Sequence, residues 1–242
     1  MYCKVKTDDT YKGLNILPYR KHGEEKRVVI LERLRSILFY MLDNHCKVIQ
    51  TRFDLHYPNL QDFEYMNRDI YSFINEFIKS LNRIYCSGHY VDAKYLWVRE
   101  QKTSYHPHYH IVVFCNGNAI QSPYTIFNKA EYYWFKTIGY QDKKLIDYCD
   151  RSNGIKHKNG IMIDINKNDF EKQLNNGFRA SSYLAKICSK DIRDKYSCVF
   201  GSSQIPSFKQ TKWKTISIDR KYYNWQNNTK IFGKNKSELT RK

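Results

Sequence analysis

No stretch of the 242-residue chain approaches the ~20 consecutive apolar residues a membrane-spanning helix requires, and mean hydropathy is −0.71. A membrane protein is therefore not expected. The opening segment, MYCKVKTDDTYKG, lacks the apolar h-region of a secretory leader, so secretion is not expected either. Seven cysteines are scattered with no Cys-x-x-Cys pair. That argues against a disulfide scaffold or a cysteine-rich zinc finger and for a reducing, cytoplasmic setting. No GxxxxGK[ST] phosphate loop occurs, nor any internal repeat or clean linker. Acidic side chains are scarce beside basic ones, 24 against 41, for a formal net charge of +17. An excess of that size favours a polyanionic partner. Hydrophobic residues make up 41% of the chain, enough to build a packed core and exclude wholesale disorder.

Periodicity gives a coarse order of elements. Residues 1–20 read as an irregular arm. From Glu24 to Leu42, apolar side chains at Val28, Leu31, Leu34, Ile37, Leu38 and Met41 recur at helical spacing. Cys46 to Leu55 reads as a strand, and Asp62 to Ile84 as a second amphipathic helix. Ala93–Glu100 and His108–Cys115 read as strands rich in β-branched and aromatic residues. Residues 122–149 read as helix and Gly160–Ile165 as a short strand. A helical stretch at Asn168–Leu174 is expected to break at Asn175-Asn176-Gly177 and restart from Phe178 to Lys190. The order predicts an α+β fold: a split βαββαβ (RRM- or ferredoxin-like) core with a central antiparallel sheet and helices mainly on one face. The domain reading is an arm and helix over 1–45, a core over 46–195 and a basic C-terminal extension over 196–242.

The strongest chemical signal is His106-Pro-His108-Tyr-His110 followed by Ile-Val-Val-Phe. Alternate residues of a strand share a face. His108 and His110 thus offer two adjacent imidazoles, while Tyr109, Ile111 and Val113 point into the core. With eight histidines in the chain, one His-x-His pair arises easily by chance, but three alternating over five residues far less so. His106 precedes Pro107 and belongs to the loop. Trp97-Val-Arg-Glu100 is joined to His108 by a seven-residue connection, Gln101 to Pro107. In an antiparallel hairpin Glu100 lands beside His108, with Cβ atoms ~5 Å apart. A Glu, His, His set with open positions suits Mn²⁺, Mg²⁺ or another divalent ion. A surface cluster without function is the bland alternative. Later, Ser181-Ser-Tyr183-Leu-Ala-Lys186 places a phenol and an ammonium three apart on one helical face, with Arg179 and Lys190 near. A phenol with pKa ~10 needs nearby positive charge to act as a nucleophile. Alone, that pair reads as a core tyrosine beside a solvated lysine, and only together with the histidine cluster does it point to a nucleophile.

Taken together, a strand carrying His-hydrophobe-His and a later Tyr-x-x-Lys resemble the HUH endonuclease superfamily. Within it the resemblance is to single-tyrosine rolling-circle replication initiators of plasmids, filamentous phages and integrated elements. Thr51-Arg-Phe-Asp-Leu-His-Tyr-Pro58 resembles the first strand, which lies beside the metal site in such proteins. Trp97 to His110 resembles the metal motif, Tyr183-Leu-Ala-Lys186 the nucleophile motif, and Val199-Phe-Gly-Ser-Ser-Gln204 a downstream segment without assigned chemistry. No tyrosine stands four residues after Tyr183, where Ile187 lies, so a two-tyrosine mechanism is not expected.

The resemblance implies metal-assisted attack by Tyr183 on single-stranded DNA at a replication origin, with Glu100, His108 and His110 holding Mn²⁺ or Mg²⁺. The products are a 5′-phosphotyrosine and a free 3′-OH. Lys186 positions or neutralises charge, and host helicase and polymerase are the implied partners. Tyr148 and Tyr196 are the next candidate nucleophiles. Two other readings stay open. One is a relaxase or transposase of the same superfamily, in which His106 is a third imidazole ligand. The other is a non-catalytic nucleic-acid-binding regulator, which leaves the alternating histidines without a task.

Overall fold

In the computed structural model, residues 4–5, 9–17, 26–60, 63–66, 68–101, 106–152, 155–156, 159–186 and 199–206 are described. The labelled elements run in chain order. They are α1 (Val28–Asn44), β1 (Lys47–Leu55), α2 (Asp69–Asn82), β2 (Lys94–Glu100), β3 (His108–Asn116) and α3 (Tyr124–Ile138). They continue with β4 (Ile146–Asp147), β5 (Ile161–Asp164), α4 (Phe170–Ser181), a 3₁₀ turn (Ser182–Ala185) and β6 (Phe200–Ser202). The fold is α+β, with every ladder of the central sheet antiparallel. Its order is β4-β1-β3-β2-β6, and β5 pairs with the other half of the β1 edge that β4 occupies. Between those two short strands the Asn159 side chain takes over the ladder. Its Oδ1 accepts from Arg52 N (3.2 Å), and its amide donates to Arg52 O and Tyr148 O.

Both faces of this sheet are covered, where the sequence reading placed helices mainly on one. The reason lies in the strands: β2 and β3 carry apolar side chains on both sides through their middle, and β1 adds Ile49 and Phe53 to one side and Val48 to the other. On one face Ile49, Phe53, Trp97, Tyr109, Ile111 and Val113 pack with α2 and α3. On the other, Val48, Leu96, Val98, Val112, Phe114 and Ile163 pack with α1, α4 and the 3₁₀ turn. The stripe Ile30, Leu31, Leu34, Ile37, Leu38 and Met41 of α1 is fully buried there.

The expected break at Asn175-Asn176-Gly177 does not occur. The helix α4 runs straight through it, because Gly177 is a contact residue and not a terminator. A Cβ there would meet Ile163 Cδ1 at 2.8 Å and Gln50 Oε1 at 3.1 Å, and Gln50 Nε2 donates to Gly177 O at 2.8 Å. The missing side chain lets α4 lie directly on β1 and β5. The arm also contributes to the core: Leu14 and Ile16 are buried. Asn15 N donates to Asn175 Oδ1 (3.0 Å) and Leu17 N to Ser182 Oγ (2.9 Å). The helix of residues 122–149 ends at Ile138, and the helix expected up to Lys190 passes into the 3₁₀ turn, residues 187–198 lying outside those described.

The segment Val199–Gln204 supplies the sheet's edge strand. Gly201 stands opposite Trp97, and Ser203 Oγ accepts from Tyr95 N at 3.0 Å. A Cβ on Gly201 would fall 2.6 Å from Trp97 Nε1, so the indole covers the gap that glycine leaves, as aromatic side chains do over edge glycines. Trp97 is buried from both sides and cannot yield. Gly201→Val is expected to destabilise the fold by about 1–3 kcal/mol through overpacking, read as a lower urea midpoint with an altered tryptophan emission.

Candidate metal centre

The antiparallel registers decide which side chains meet. Glu100 stands opposite His108, and Val98 and Asp54 flank His110 from the two neighbouring strands. Directly opposed residues share a face. One end of the α1/α4 face of the sheet therefore collects Arg52, Asp54, Glu100, His108 and His110, while Val48, Leu96, Val98, Val112 and Phe114 make the middle of that face largely apolar. Ionisable groups gathered on an otherwise apolar sheet carry a large desolvation cost and mark a functional site more often than a stabilising one.

Glu100, His108 and His110 each offer one ligand atom, and these atoms lie within 4.8 Å of one another. The donor set of one carboxylate and two imidazoles fits a divalent cation and leaves coordination positions open. His106 does not join it. Its buried ring packs among Tyr57 (6.1 Å), Phe63 (6.1 Å) and Tyr65 (5.7 Å), with Nε2 3.3 Å from Leu60 O. As the Pro107 signal indicated, it precedes the strand.

His110 is the centre of the cluster. Its Nδ1 lies 2.8 Å from Asp54 Oδ2 and its Nε2 2.7 Å from Glu100 Oε2. Burial disfavours its cation, but the hydrogen bonds to Asp54 and Glu100 outweigh burial and raise its pKa above the usual imidazole range. Burial likewise opposes the Asp54 anion. The Arg52 guanidinium (3.1 Å) and His110 overcome it and hold that carboxyl well below the usual carboxylate range. His108 is different: burial, reinforced by the charge of His110, pushes it down to about 4, so its imidazole is neutral at pH 7. Its ring stacks on His56 at 5.3 Å and 16°. A neutral imidazole is the form that ligates a metal. His110 reaches that form with Nδ1–H donating to Asp54, which leaves the Nε2 lone pair directed at the Glu100 side. This is the carboxylate–histidine arrangement that orients metal ligands.

Tyr183 and Lys186 both come to this end of the sheet, although Tyr183 sits in the 3₁₀ turn and not within a regular helix. The Tyr183 ring stands edge-on to the His110 ring at 5.3 Å and 87°. Arg52 lies over the same ring at 4.0 Å, and Lys186 Nζ is 6.0 Å from its centre. Tyr148 faces elsewhere: its hydroxyl donates to Glu131 Oε2 on α3 (2.6 Å), and burial with that carboxylate pushes its pKa up. Tyr196 and Lys190 lie outside the described residues.

Residues 6–203 match the family described as the YagK/YfjJ C-terminal domain. The chain belongs to that family. No curated protein and no solved structure matches it. The matched span takes in the whole central sheet and every residue of the cluster, so the centre is part of the YagK/YfjJ domain itself and not of a flanking extension. Among the described residues no helix is long and apolar enough to cross a membrane.

Arg52, Asp54 and His56 were not singled out as site residues by sequence. The signal was present as Gln50, Arg52, Asp54 and His56, a polar residue at every second position of a strand whose intervening residues are apolar or Thr51. Asp54→Asn is expected to lower Mn²⁺ affinity about 10–100-fold, the effect usual for outer-shell partners, in an isothermal titration. In the wild-type protein an ion must displace the His110 Nε2 proton. Because that pKa is raised, Mn²⁺ affinity is expected to climb as pH passes through it, with proton release measurable from the buffer dependence of the binding heat.

Proposed function

We propose that the protein is a single-tyrosine nickase and ligase of single-stranded DNA acting at a replication origin, related in mechanism to rolling-circle initiators. The observation that carries this reading is the edge-on contact of Tyr183 with His110. It brings the one phenol of the Tyr-x-x-Lys motif against a Glu, His, His donor set. The strand order supports it as well. The strands β1 and β2 run parallel with β3 inserted antiparallel between them, and β5 lies on the outer edge of β1. We read that order as a split βαββαβ unit.

In this reading a divalent ion, Mn²⁺ or Mg²⁺, supplies Lewis-acid stabilisation of charge on the non-bridging oxygens of the scissile phosphate. Tyr183 Oη forms the new bond to phosphorus as the bond to the 3′-oxygen breaks, giving a 5′-phosphotyrosine and, after proton uptake, a free 3′-OH. The Arg52 guanidinium over the ring and the Lys186 ammonium near it favour the phenolate and later the phosphodiester. Asp54 holds His110 in the tautomer that faces the phosphate side. The phosphotyrosine bond conserves energy for rejoining, and the 3′-OH primes a host polymerase. In this reading a host helicase opens the duplex. The charge of +17 serves non-specific phosphate contacts, whose affinity falls steeply with salt.

The test is incubation with Mn²⁺ and labelled single strands from the replicon that encodes the protein. An SDS-resistant protein–DNA adduct is expected, absent with EDTA. Tyr183→Phe is expected to abolish the adduct, by more than about a thousandfold as for loss of other covalent nucleophiles, while leaving the melting temperature near wild type. His110→Ala is expected to abolish nicking and keep most DNA affinity, because affinity rests on distributed charge. Strands that are bound but never cleaved, with the origin present, would sink the reading in favour of a non-catalytic binder.

A further inference from the structure

An open cleft of about 570 Å³ lies beside the metal centre, lined by His56, Lys144, Ile146, Asp147, Tyr148 and Asp150. Its position follows from the short strand β4. Asp147 stands opposite Asp54 and Ile146 opposite Leu55, so the cleft begins where the ligand-bearing face ends. His56 joins the two regions: it lines the cleft, and its ring stacks on that of the ligand His108 at 5.3 Å and 16°.

The lining has a definite chemistry. Ile146 is 5% exposed and forms an apolar floor. The Tyr148 hydroxyl is taken by Glu131, so that side chain offers its ring. Asp147 is exposed, and its Oδ1 is engaged with Cys149 N at 2.7 Å. Carboxylates accept hydrogen bonds and donate none, and two of them repel a phosphate. The cleft therefore suits a flat, uncharged group with hydrogen-bond donors on its edge, next to a centre suited to an anion. A nucleotide has that division: a phosphate at one end, and a planar base at the other that stacks on aromatic rings.

Building on the nickase reading, we propose that this cleft takes one unpaired base beside the scissile phosphate. The base stacks by His56, and Asp147 and Asp150 read its donor edge. Guanine is the favoured occupant, since N1–H and N2–H₂ present adjacent donors to carboxylate oxygens, whereas thymine presents a single imino donor and a methyl group. Lys144 at the margin faces the flanking phosphate. The centre then fixes where the strand is cut, and the cleft contributes which base stands at the cut.

The experiment uses the full chain, Mn²⁺ and a 3′-labelled pool of single strands of random sequence. Covalent adducts are isolated in SDS and their attached ends sequenced, while binding of the pool is followed by anisotropy. Wild-type adducts are expected to be enriched in guanine at one position flanking the joined phosphate. His56→Ala is expected to lose that enrichment and to lower adduct yield about tenfold, the scale of one lost stacking contact. His56→Phe is expected to retain both. Asp147→Asn, an exposed change that keeps the fold, is expected to shift the preference away from guanine. Wild-type base preference in the adducts of both His56→Ala and Asp147→Asn would overturn the proposal and leave the nickase reading standing. So would His56→Phe behaving as His56→Ala, which would make the ring something other than a stacking surface. Pool binding without any wild-type adduct would overturn both.

Discussion

The register of the three central strands is the constraint on which the rest depends. Because side chains alternate along a strand, a slip of one residue in β1 or β3 would turn Asp54 or His110 to the opposite face. The apolar residues enforce the register. On β3, Tyr109, Ile111, Val113 and Cys115 are fitted to the α2/α3 side, and Val112 and Phe114 to the α1/α4 side. A slipped strand would put His108 and His110 among Phe53, Trp97 and Trp134. Two hydrophobic layers thus hold a polar cluster that contributes little to stability of its own, since buried ion pairs roughly offset their desolvation.

The second requirement is that a distant part of the chain reach the cluster. Tyr183 lies more than seventy residues after His110, and no local interaction links them. The link is the packing of α4, made close by the absence of a side chain at Gly177 and held by the Gln50 amide on its carbonyl. Gln50, Arg52 and Asp54 lie on one face of one strand, so β1 docks α4, contacts the Tyr183 ring and orients His110 through three successive inward positions. From the other side the N-terminal segment bonds to Asn175 and Ser182, which makes the arm a brace for the turn that carries Tyr183.

Sequence legibility follows from how local each signal is. The strands and amphipathic helices were readable because period two and period 3.6 are properties of neighbours. Glu100 beside His108 was readable because a hairpin turns one separation along the chain into one separation across it. Asp54 and Arg52 were not: the resemblance put their strand beside the metal site, but which of its side chains meets His110 is fixed by a register between strands more than fifty residues apart. The Asn175-Asn176-Gly177 signal misled for a related reason. Local propensity reads it as a break, but tertiary packing against Ile163 and Gln50 stabilises helix there and uses the glycine for contact. The helices on both faces were missed because the apolar face of α1 was visible while the surface awaiting it, the second side of the sheet, was not.

The charge balance of the cluster links its structure to its proposed chemistry. With His110 protonated, its cation and that of Arg52 match the anions of Asp54 and Glu100, and the centre is neutral. Binding of a divalent cation at the expense of the His110 proton leaves one net positive charge, before Lys186 is counted. Loading the ion thus raises the positive charge of the centre by one and strengthens its attraction for a phosphodiester. The cleft beyond His56 sets Asp147 and Asp150 against the single ammonium of Lys144, and is less favourable to the same phosphate. In the proposed reading that difference favours phosphate at the histidines and base at the aspartates.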